Sequence, residues 1–192
     1  MMRENSPNRR ALSPLDQAAL ERLALRYVER FATTRARLIA YLDRKVRERG
    51  WQGVPADPMS LADRMVALGY VDDRAFASAR AGAMARRGLG GRRISEALRA
   101  AGVGEDESAA LVPMIAQGAL AAALRFAQRK RLGPYAVTAP DRAMRERHLA
   151  AIIRAGHSFE LARQIVMLAP GDDTALKALI SGEEDFCDIA NP

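Results

Sequence analysis

Gly69-Tyr-Val-Asp-Asp-Arg-Ala-Phe-Ala77, followed by Arg86-Arg-Gly-Leu-Gly-Gly-Arg-Arg-Ile94 and Ala97-Leu98, is the stretch on which the fold turns. It reads as a helix stop at Gly69, an acidic helix start at Asp72 or Asp73, a glycine turn between arginines, and a second helix opening on two arginines. Gly88 to Gly91 lacks the strand and the Lys-Ser/Thr of a P-loop. The adjacent carboxylates Asp72 and Asp73 suit a helix cap and dipole partner better than acid–base chemistry. A segment of this kind builds a binding surface, not a reaction centre.

The rest of the chain repeats the pattern. Ser13-Pro14-Leu15-Asp16 carries a capping serine, a proline for the first helical position and an acid for the first turn. Leu20, Leu23, Tyr27, Val28 and Phe31 then recur at helical spacing. After Thr33-Thr34 a second helix carries Leu38, Tyr41 or Leu42, and Val46 to Gly50, Trp51 to Ala56 reads as a loop, and Asp57-Pro58 opens a third helix closed by Gly69. The second round runs from Asp72 or Asp73 through Ile94 and Leu98 to a short helix bearing Leu111 and Val112, broken by Pro113. The third takes in Leu120, Leu124, His148, Ile152 and a last helix capped by Ser158. Leu42, Leu98 and Ile152 stand 56 and 54 residues apart, and pairs 13 and 14 residues beyond the last two, Leu111-Val112 and Ile165-Val166, match. A helix triplet recurring at this interval predicts an all-α chain of three tandem three-helix repeats, helix-turn-helix-like units in an elongated, curved array. The expected divisions are a flexible basic arm at 1–12, repeats at 13–69, 70–115 and 116–168, and an acidic tail at 169–192.

Charge points to the partner class. The net charge of +7 hides a split: residues 1–168 hold 29 Lys+Arg against 17 Asp+Glu, whereas beyond them Lys177 faces six acids. A basic body attracts polyanions such as nucleic acid or a nucleoprotein filament. An arginine precedes a core residue in each middle helix: Arg37 before Leu38, Arg93 before Ile94, Arg147 before His148. Further cations lie nearby at Arg35, Arg86, Arg87, Arg92, Lys130, Arg131 and Arg145. A helix start with free backbone N–H groups and flanking arginines can hold phosphate or carboxylate, so these ten residues are the expected partner contacts. The acidic tail could shield them from within the molecule.

His148 and His157 lack companions at metal-ligand spacing, and His148 fits a semi-buried core position. Cys187 is the only cysteine, which excludes an intrachain disulfide and suits a reducing cytoplasm. No apolar run approaches the length of a membrane span, and residues 1–12 do not read as a secretory signal. No catalytic residue, cofactor or metal is expected, nor a membrane partner.

The Gly69–Ala77 segment, Arg87-Gly-Leu-Gly-Gly-Arg-Arg-Ile-Ser-Glu-Ala-Leu98 and Ala155-Gly-His-Ser-Phe-Glu-Leu-Ala-Arg-Gln-Ile-Val166 together resemble the bacterial RecX regulatory proteins over roughly residues 15–168. Gly91 stands where that family usually has proline, and Ala155-Gly156-His157 where it has Arg-Gly-Phe. The resemblance implies tandem three-helix repeats in a monomer. It also implies a non-enzymatic modulator of the RecA recombinase, binding its filament on single-stranded DNA and damping ATP hydrolysis, strand exchange and repressor cleavage. The alternative is a direct DNA-binding helix-turn-helix-like protein. Arginine without interleaved aromatics argues against sequence-specific single-strand reading, while weak, salt-sensitive DNA binding suits both.

Overall fold

The first helix begins later than the sequence pattern places it. In the computed structural model, which describes residues 13–189, with side chains to residue 182, Leu15 is extended and wholly buried. Its N–H donates to the Gly50 carbonyl at 2.9 Å, and its own carbonyl accepts from the Gln52 N–H at 2.8 Å, a parallel bridge to Trp51. These long-range bonds outcompete the Ser13-Pro14 start. Asp16 becomes the cap, its carboxylate accepting from the Ala19 N–H at 2.7 Å. The expected arm over 1–12 lies outside the described residues.

Helix α1 (Gln17–Arg30), α2 (Arg35–Arg49) and α3 (Pro58–Ala67) enclose a core of Leu20, Ala24, Leu38, Leu42, Leu61 and Met65, closed by Leu15 and Val71. Thr34 and Asp57 cap α2 and α3 through their side chains, where the punctuation in the sequence placed those starts. Asp73 adds a second tie, its carboxylate accepting the Arg35 N–H at 2.8 Å across 38 residues. Trp51, at the loop after α2, packs on this core.

The chain continues as α4 (Asp73–Arg86), α5 (Gly91–Arg99), α6 (Glu105–Ala109), α7 (Val112–Gln117) and α8 (Ala119–Lys130). After a 3-10 turn at Gly133–Tyr135 come α9 (Arg142–Arg154), α10 (Phe159–Met167) and α11 (Asp173–Ile189). Pro113 opens α7 instead of breaking a helix, because its missing N–H falls among donors that a helix start leaves unused. The tail forms α11, with Leu176 and Leu179 packed on the core beneath it and the Gly171 N–H bonded to the Pro134 carbonyl at 3.0 Å.

The chain divides into two compact units that meet in sequence between Asp73 and Arg74. Within the second unit the buried side chains form two clusters. One gathers Ala77, Ala81, Ile94, Leu98 and Leu111 from α4 to α6–α7; the other gathers Leu120, Leu124, Ala127, Ile152, Ala162 and Ile165 from α8 to α10. Three helices each bury a pair four residues apart: Leu38 and Leu42 on α2, Ile94 and Leu98 on α5, His148 and Ile152 on α9. Nine residues of α5 are too few to hold as an isolated helix, so those two apolar side chains keep it folded. Apart from the bridge at Leu15, every regular element among the described residues is helical.

Candidate polyanion interface

The turn between α4 and α5 is built by close approach. Gly88 has φ +76°, and a Cβ there would sit 2.8 Å from the backbone nitrogen of Phe126 on α8. At Gly90, φ is −85°, a value any residue can adopt, but a Cβ would lie 2.4 Å from the carbonyl of Gly156. Gly156, at φ +98°, meets the Arg93 backbone in the same way. Glycine is therefore required on both sides of the contact between the α4–α5 turn and the α9–α10 turn.

Hydrogen bonds complete this junction. The Gly90 N–H donates to the Ala155 carbonyl at 2.9 Å, and the Arg92 N–H to the Gly156 carbonyl at 3.2 Å. Two donors expected to stand open for an anion at the start of α5 are thus already used. The arginine side chains reach the other way. Arg92 donates through Nη2 to the Ile153 carbonyl at 2.9 Å, and Arg93 through Nε to the Arg154 carbonyl at 3.0 Å. Both guanidinium groups cap the carbonyl end of α9, where the helix dipole favours cations. Glu96 completes the set, 3.0 Å from Arg93 and 3.6 Å from Arg92. Half of each arginine side chain remains exposed.

Arg86 and Arg87 lie exposed at the end of α4, with no carboxylate in ion-pair range among the described residues. Sequence reasoning missed their neighbours on α8. Arg129 donates to the Arg87 carbonyl at 2.6 Å, and Arg125 to the Ala85 carbonyl at 3.4 Å, capping α4 as Arg92 and Arg93 cap α9. Their spacing of four residues on one helix was the available signal. Arg86, Arg87, Arg92, Arg93, Arg125 and Arg129 therefore gather around one glycine junction in the second unit.

The other expected contacts are placed elsewhere. Arg35, in the first unit, is ion-paired to Asp63; this raises the guanidinium pKa and holds the Asp63 carboxyl below its usual range. Arg37 is partly buried beside the Thr34 cap. Lys130 and Arg131 end α8, Arg131 in the left-handed region at φ 55°. Arg145 and Arg147 are exposed on α9.

His157, which has no companions at metal-ligand spacing in the sequence, serves as a core polar group. It is 6% exposed, and its Nε2 lies 3.1 Å from the Gly88 carbonyl. Burial holds its pKa below the ordinary imidazole value, with the Gly88 bond opposing the shift. His148 is also buried, its Nδ1 accepting the Gly133 N–H at 3.4 Å, and burial lowers its pKa too. Among the described residues no group of three His, Cys, Asp or Glu side chains could hold a metal ion. No single helix among them is long and apolar enough to cross a membrane.

Comparison with known proteins places this geometry in context. The chain is 32% identical over 174 residues to the regulatory protein RecX of Myxococcus xanthus, a match covering 85% of this chain and 91% of that one. It is 28% identical over 166 residues to the regulatory protein RecX of Agrobacterium fabrum, covering 84% and 86%. The crystal structure of RecX from Lactobacillus salivarius superposes with a TM-score of 0.60 at 17% identity, over 78% of this chain and 93% of that one. A second RecX crystal structure gives 0.58 at 20% identity, over 78% and 70%. No family model matches the chain.

Proposed function

The chain belongs to the RecX regulatory protein family, and we propose that it binds the RecA recombinase filament on single-stranded DNA and inhibits its ATPase, strand-exchange and coprotease activities. The observation that carries this reading is the extent of the Myxococcus xanthus match, which takes in 91% of a protein named as a regulator. Charge agrees with it, since residues 1–168 carry twelve more cations than anions. So does the gathering of six arginines at one junction, four of them bonded to backbone carbonyls and therefore held in place.

In this reading three helical modules lie in tandem along the filament. Their support is the three separate hydrophobic clusters and the matched buried pairs of α2, α5 and α9, each pair preceded by an arginine at 37, 93 or 147. Arg86 and Arg87 supply the polar contacts, together with the exposed halves of Arg92 and Arg93. Arg35, Arg37, Lys130, Arg131, Arg145 and Arg147 extend the cationic surface. The protein acts as a cytoplasmic monomer without cofactor, in DNA recombination, repair and the SOS response.

The deciding experiment is RecA ATPase on single-stranded DNA, with purified protein added before and after filament assembly. Inhibition in either order supports the reading, and the order dependence separates obstruction of growth from binding along the filament. Titration of labelled DNA with and without RecA at two salt concentrations isolates direct DNA binding, which falls steeply with salt. Binding to DNA that RecA does not enhance, with ATPase unaffected, would favour the helix-turn-helix alternative.

A further inference from the structure

Leu149 on α9 and Val166 and Met167 on α10 floor a slot of about 140 Å³ in the second unit. The rim is cationic: Arg142, Arg145 and Arg163 stand around it, with Glu146 as the one carboxylate in the lining. Arg142 pairs with Glu146 at 3.2 Å and Arg163 with Glu160 at 3.3 Å. All four side chains are more than half exposed, so these pairs are weak and exchange readily for carboxylates arriving from outside. Arg145 has no ion pair among the described residues. Met167 is 72% exposed, an apolar side chain left uncovered beside three charges.

We propose that this slot docks an acidic peptide segment carrying one phenylalanine or leucine. The apolar side chain fills the slot, and flanking carboxylates meet Arg142, Arg145 and Arg163. Size supports one such side chain, since an apolar cavity of roughly 150 Å³ accommodates a benzene ring. Charge complementarity supports acidic flanks, and bidentate arginine–carboxylate pairing makes them specific. Nucleic acid fits less well, because base binding relies on aromatic platforms and none lines the slot. The inference does not depend on the filament reading, although Arg145 serves in both, because its test needs no RecA.

The test is fluorescence anisotropy of the full-length protein with a labelled synthetic peptide in which glutamates flank one phenylalanine. Expected is saturable binding that weakens by about tenfold or more when the phenylalanine becomes alanine or the glutamates become lysines, as loss of a central anchor does. Arg145→Glu and Met167→Glu, both at exposed positions, weaken binding by a similar factor with an unchanged thermal midpoint, whereas Arg26→Glu on α1 has no such effect. Equal affinity for the alanine peptide, or undiminished binding by both slot variants, overturns the proposal. So does binding seen only after residues 183–192 are removed, which would assign the slot to the chain's own Glu183-Glu184-Asp185-Phe186.

Discussion

The imidazole of His157 and the carbonyl of Gly88 are joined at 3.1 Å across 69 residues, inside a junction where backbone meets backbone. That bond lies beside the Gly90–Ala155 and Arg92–Gly156 bonds, so the α4–α5 turn and the α9–α10 turn behave as one structural element. The arginines first read as a free binding surface are partly the fastening of this element.

Stability should fall as the medium turns mildly acidic. Burial keeps the folded-state pKa of His157 and His148 below the ordinary value, near 6.5 in an unfolded chain. Above that pH both states hold neutral imidazoles and the full stability is present. As pH drops through and below it, the unfolded chain takes up protons first, and stability is lost until the folded pKa is passed. Denaturant midpoints between pH 7.5 and 5.0 should slope less for His157→Gln than for the parent chain; identical slopes would remove His157 from the account.

Two glycines separate conformation from contact. Gly69→Ala places a side chain at φ +75° with nothing within 4 Å, so only backbone strain of about 1–2 kcal/mol is expected. Gly90→Ala has an ordinary φ but drives its Cβ into the Gly156 carbonyl, and should cost more than about 2 kcal/mol by displacing the junction. Urea unfolding of the two variants gives the ranking, and the reverse order would contradict the junction.

Charge reversal should divide the arginines into two classes. Arg86→Glu with Arg87→Glu is expected to weaken inhibition of RecA ATPase while leaving the thermal midpoint within a few degrees. Arg92→Glu with Arg93→Glu removes two caps from α9 as well, so inhibition and stability should fall together. Unimpaired inhibition by a folded Arg86/Arg87 variant would sink the assignment of those contacts.

The tail calls for neutralisation, not truncation. Cutting at Pro170 would strip Leu176 and Leu179 from the core they cover and confound the result. Replacing Glu183, Glu184, Asp185 and Asp188 by their amides keeps that cover and removes four negative charges. If the tail shields the cations, affinity for the RecA filament rises at low salt and the gain shrinks at high salt. No change at either salt concentration would show that these acids play no part in shielding.

Much of the local structure was legible because its causes are local. The caps at Thr34, Asp57 and Ser158 act over three residues, and the buried pairs of α2 and α5 follow from apolar spacing on a single helix. Where the causes were remote, the reading failed. Leu15 is extended because of Gly50 and Gln52, not because of its neighbours in sequence.

Sequence by itself determined the helical class, the family and the surplus of arginines, since composition, periodicity and motif resemblance are properties of the chain alone. Only the tertiary structure decided what those arginines touch. Arg92 and Arg93 meet the end of α9, and Arg125 and Arg129 the end of α4, through hydrogen bonds spanning 40 to 61 residues. The physical reason is that a guanidinium group serves a backbone carbonyl as readily as a phosphate, and the approach of two glycine turns settles which one it finds.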